Sequence, residues 1–69
     1  MNRSEFIQAG QKLTGFTHGY QKPLAELIGV SVITVKRYAS GKIEIPQPIS
    51  KLMFLLVWEQ DFFKNKSGD

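Results

Sequence analysis

The chain has no cysteine and a single histidine, His18. Disulfides and thiolate metal sites are therefore excluded, and one imidazole cannot build a metal site alone. A thiol-free chain fits a reducing cytoplasm, where its residence is expected. Long apolar runs are also missing. The longest, Leu52 to Trp58, is seven residues, whereas a membrane span needs roughly 20. Arg3, Glu5 and Gln8 interrupt the first twelve residues, so no signal peptide is expected. Catalytic equipment is scarce as well. Glu59 and Asp61 lie two apart and point to different sides of their helix. Gly15 and Gly19 are loop residues without a phosphate-binding pattern. The expectation is no enzyme, no cofactor, no metal, no membrane and no evident small-molecule ligand.

What is present bounds the answer further. A chain of 69 residues allows one domain, with a thin core. Such a core often leans on a disulfide, a metal or a partner chain, and the first two are excluded. Oligomerisation is the support that remains. The net charge of +3 is unevenly spread. Residues 12–42 hold Lys12, Lys22, Lys36, Arg37 and Lys42 against Glu26 alone, and residues 43–69 are net acidic. A basic stretch of this kind points weakly to nucleic acid.

Four helices are expected. The first covers residues 2–14, with Asn2 and Glu5 as a capping box and Met1 stapled to Phe6. Phe6, Ala9, Gly10 and Leu13 make one face, and Gly10 on that face implies a close neighbour. Gly15 ends the helix, Phe16 is expected to fold back on the core, and His18 falls in a solvated loop. The second helix covers Gln21 to Ile28, with Pro23 in its first turn and Leu24, Leu27 and Ile28 inward. Gly29 turns the chain, and Ser31 caps a third helix running to about Ala39. At 100° per residue Val35 and Tyr38 point inward, while Val32, Ile33, Lys36 and Arg37 point out.

Pro46 and Pro48 then hold residues 42–47 in a linker. The last helix is expected over about 48–63, with a polar, frayed tail from Lys64 to Asp69. It is apolar on two sides. Ile49, Leu52, Met53, Leu56 and Phe63 share one face, and Phe54, Leu55, Trp58 and Phe62 the other. A chain this short cannot cover both, so the second face is expected to form a dimer interface. A single monomeric core with this helix at its centre is the plainer alternative.

The stretch Gln21 to Gly41 carries a resemblance. Gln21, Leu24-Ala25, Ile28-Gly29-Val30-Ser31, Thr34-Val35 and Tyr38, followed by Ser40-Gly41-Lys42, resemble the helix-turn-helix of phage repressor and Cro-like (XRE-type) regulators. The resemblance covers about a third of the chain closely, and the first helix and proline linker more loosely. It implies an all-α, four-helix, lambda-repressor-like domain over residues 1–69. It also implies double-stranded DNA as partner, with the second helix of the pair in the major groove. Carried over by position, the base readers are Ser31, Val32, Ile33, Lys36 and Arg37, and the backbone contacts are Gln21, Lys22, Ser40 and Lys42. Val32 and Ile33 depart from the polar readers frequent in that family, although they can meet thymine methyl groups. Arg37 suits guanine, because its planar fork binds bidentately.

The resulting expectation is a homodimeric transcriptional repressor of phage or mobile-element type. It would bind an inverted repeat and associate with the nucleoid when on DNA. An alternative of another class is a protein-binding module, such as an antitoxin or adaptor, that uses the apolar last helix. The blander reading of Lys36 and Arg37 is a solvated helix face.

Overall fold

The structure is a computed structural model and describes residues 1–67, with side chains through Lys64. All regular secondary structure among them is helical: α1 (Arg3–Thr14), α2 (Gln21–Ile28), α3 (Val32–Ser40) and α4 (Gln47–Ser67). Local chemistry sets the boundaries. Asn2 Oδ1 accepts from the Glu5 N–H at 2.8 Å, and Glu5 Oε1 accepts from the Asn2 N–H at 3.0 Å. This reciprocal box satisfies two donors that the first turn leaves unpaired. α1 stops at Gly15, whose φ of 78° is left-handed. α2 and α3 stop in the same way, at Gly29 and Gly41.

The centre of the core takes one side chain from each helix: Phe6 from α1, Leu24 from α2, Val35 from α3 and Met53 from α4 are fully buried. Each such burial contributes about 1.5–3 kcal/mol before entropy is counted. Ala25, Ile28, Tyr38 and Tyr20 complete it, and among the described residues no polar or charged residue is buried with them. Phe6 and Tyr38 meet edge to face with centroids 5.4 Å apart. Gly10 of α1 lies hard against the side chains of Leu24 and Tyr20. A Cβ there would lie 2.7 Å from Leu24 Cδ2 and 3.0 Å from Tyr20 Cδ2. Tyr20 just precedes α2, and burial raises its phenol pKa above the ordinary value.

Five expectations need correction. Phe16 does not return to the core but stands 54% exposed. Leu27 is exposed too, because Leu24, Ala25 and Ile28 already fill the arc of α2 that meets α1 and α3. Val32, the first residue of α3, is half-buried against the core instead of outward. Phe63 belongs to the exposed side of α4, beyond the part of the helix that the core reaches. Finally, α4 starts at Gln47 and continues through Ser67, so residues 64–67 are helical and not a frayed tail; Gly68 and Asp69 lie outside the described residues.

α4 is fastened to α1 by polar contacts as well as by Met53. Lys12 Nζ reaches both oxygens of Asp61, at 2.8 and 2.9 Å. Gln60 Nε2 donates to the Lys12 carbonyl at 3.1 Å, while its Oε1 is buried without a partner. The ion pair is half-exposed, so it orients α4 more than it stabilises it. Among the described residues, no helix is long and apolar enough to cross a membrane.

Candidate nucleic-acid interface

α2, the turn Gly29-Val30-Ser31 and α3 form the frame of the site. The turn is held by amides: the N–H groups of Gly29 and Val30 both donate to the Ala25 carbonyl, at 2.9 and 3.0 Å. Ala25 itself is buried in the core. Ser31 then opens α3 from an extended conformation, and its Oγ accepts from the Thr34 N–H at 3.1 Å. Ser31 Oγ also shares a hydrogen bond of 2.8 Å with Thr34 Oγ1. Two of the three hydrogen-bonding positions of this hydroxyl are thus spent on the cap.

With Val35 and Tyr38 sunk in the core, the opposite side of α3 faces outward. Ile33 is 61% exposed there, and Lys36 and Arg37 are exposed beside it. Ile33, Lys36, Arg37, Ser40 and Lys42 line one shallow depression. Three of these five are cations, and none is paired with a carboxylate among the described residues. The depression thus combines unneutralised positive charge with an apolar branched side chain. It can attract an anionic polymer and also present a methyl-sized contact.

The other expected site residues fall outside it. Lys22 is exposed and Gln21 half-exposed in the first turn of α2. Tyr20 supplies no side-chain cap there, and Pro23 has no N–H, so the amides of Gln21 and Lys22 are the open donors of that end. Ser40 differs from its expected role in one respect. Its hydroxyl donates to the Arg37 carbonyl at 3.1 Å, so its proton is already engaged.

A separate face lies on α4. Phe54, Leu55, Trp58 and Phe62 are all exposed, as the two-sided pattern implied, and Trp58 is 61% exposed. Trp58 and Phe62 stack with centroids 5.4 Å apart and planes 18° apart. Phe62 then meets Phe63 edge to face at 5.5 Å. The result is a pre-ordered aromatic ledge.

Sequence reasoning did not find Arg3, Tyr20 or the Lys12–Asp61 pair. Arg3 Nη1 donates to the Ser40 carbonyl at 3.2 Å, at the end of α3. One signal for it exists. A cation at the first position of a helix opposes the helix dipole, which suggests that its charge is used elsewhere. No family model, no curated protein and no solved structure matches this chain.

Proposed function

We propose that the chain is a sequence-specific double-stranded DNA-binding regulator of the helix-turn-helix, lambda-repressor-like kind, acting as a homodimeric repressor. One observation carries this reading. The outward side of α3 gathers Lys36, Arg37 and Lys42, unpaired, around exposed Ile33. In the major groove Arg37 donates to guanine O6 and N7, Ile33 meets a thymine methyl, and Lys36 takes either a base edge or a phosphate. Lys42 and the open end of α2, with Gln21 and Lys22, fix the register on phosphates. Ser31 and Val32 contribute by starting and seating α3, not by reading bases.

The aromatic ledge of α4 supplies the second copy's contact. Aromatic side chains carry about 150–250 Å² each, so the half-exposed ledge offers on the order of 500 Å² per protomer. Two copies would bury roughly 1,000 Å², about the least that a specific interface needs. Two-fold symmetry then requires an inverted repeat with half-sites about 34 Å apart. Selection of bound duplexes from random DNA, followed by footprinting, tests the whole reading. The expected result is a symmetric site protected on one face of the duplex. An asymmetric half-site held by a monomer, or no enrichment at all, would refute it.

The same ledge favours one other reading, a protein-binding module of antitoxin or adaptor type. Light scattering of the purified chain separates the two. A stable dimer supports self-association, whereas a chain that aggregates until a different protein is added supports the module.

A further inference from the structure

The cations on α3 have a neighbour from outside that helix. Arg3 stands 37 residues before Ser40, yet its guanidinium reaches the carbonyl that α3 leaves unpaired at its end. The negative pole of the α3 dipole lies there, which favours a cation. The stem of Arg3 lies along Gly41. A Cβ on Gly41 would sit 3.3 Å from Arg3 Cδ and 3.7 Å from Nη1. Gly41 is therefore small for two reasons: its φ of +79° and the arginine laid across it.

A guanidinium has five N–H donors, and the Ser40 carbonyl occupies one. Glu44 lines the hollow beside Arg3, together with Met1 and Asn2, but does not pair with it. The remaining donors stand at the same end of α3 as Ser40 and Lys42, which line the cationic depression.

We propose that Arg3 is a clamp: one N–H holds the end of α3 to α1, and the others bind a backbone phosphate of duplex DNA. This rests on the DNA-binding reading above. The assignment to phosphate follows from position. Base edges are met by the start and outer side of a groove-bound helix, while flanking elements meet the strand backbone. The cationic face then runs from Lys36 and Arg37 through Lys42 to the first turn of α1.

The test measures affinity for a mixed-sequence duplex of about 30 base pairs, from about 50 to about 200 mM salt, with circular dichroism as a check on folding. Arg3→Met keeps the stem on Gly41 and removes the charge. Its log–log salt slope is expected to be shallower than wild type by about 0.9, with affinity at low salt down about tenfold. Arg3→Lys is expected to restore the slope. A folded Arg3→Met protein with the wild-type slope overturns the proposal, since a purely structural arginine would not move it. Absence of salt-dependent binding by the wild type would instead sink the DNA reading itself, and the clamp with it. If Arg3→Met does not fold, the guanidinium ¹⁵N signals of wild-type protein decide. Slowed rotation of the Arg3 group on addition of the duplex is expected, and an unchanged signal overturns the clamp.

Discussion

Arg37 and Ile33 stand together on the outer side of α3 but would contribute to binding in different ways. A bidentate arginine discriminates one base from another, so Arg37→Ala is expected to weaken specific binding by about 1–3 kcal/mol. Helical content should not change, because Arg37 is exposed. Anisotropy titrations on matched and mismatched duplexes check this. An equal loss on every sequence would make Arg37 a phosphate contact instead. Gly10 gives a prediction of another kind. Alanine would improve helix propensity by about 1 kcal/mol. Its methyl, however, would meet fully buried Leu24 at 2.7 Å. Overpacking costs about 1–3 kcal/mol, so Gly10→Ala is expected to be net destabilising, by on the order of 1 kcal/mol. Urea unfolding midpoints would report it, and a more stable variant would show that α2 gives way easily.

At the scale of elements, signals within a few residues of each other were legible and long-range ones were not. The capping box of Asn2 and Glu5, the stop at Gly15 and the span Gln21–Ile28 each depend on neighbours along the chain. Phe16, Leu27 and Phe63 were misplaced, because periodicity marks an apolar residue without saying which element comes to cover it. Arg3 and Ser40, or Lys12 and Asp61, meet across 37 and 49 residues, beyond any local pattern. Ser31 shows the same division within the site. Its place at the head of α3 was legible, and its second hydrogen bond, shared with the Thr34 hydroxyl, was not. Loss of that cap is expected to cost about 1 kcal/mol in Ser31→Ala, while Ser31→Asp, another good cap, should recover most of it. Thermal melts would show the difference. If Ser31→Ala kept full stability but lost one base preference, Ser31 would be a reader after all.

For the whole molecule, the question is what covers the ledge on α4. The two-sided apolar pattern of residues 49–63 announced an uncovered face, and the side facing outward is the one with Phe54, Leu55, Trp58 and Phe62. A carboxylate at its centre would be costly to bury unpaired. Trp58→Asp is thus expected to yield monomers with weak operator binding and an intact fold, since Trp58 lies outside the core cluster. Sedimentation equilibrium distinguishes this from a full-affinity dimer, which would place the interface elsewhere.

α1 is bonded near both ends, through Arg3 to the end of α3 and through Lys12 to α4. Its 12 residues make a strut of about 18 Å. A strut does not flex as a hinge does, so the gap between the reading helices of a pair would be a fixed gauge. In a DNA-bound pair, any mismatch with the duplex would then fall to the DNA. Sites whose untouched middle steps bend readily would then be preferred, although no side chain reaches them. Inserting one base pair between half-sites should weaken binding sharply, and gel-shift titrations against the unmodified site would measure how stiff the gauge is.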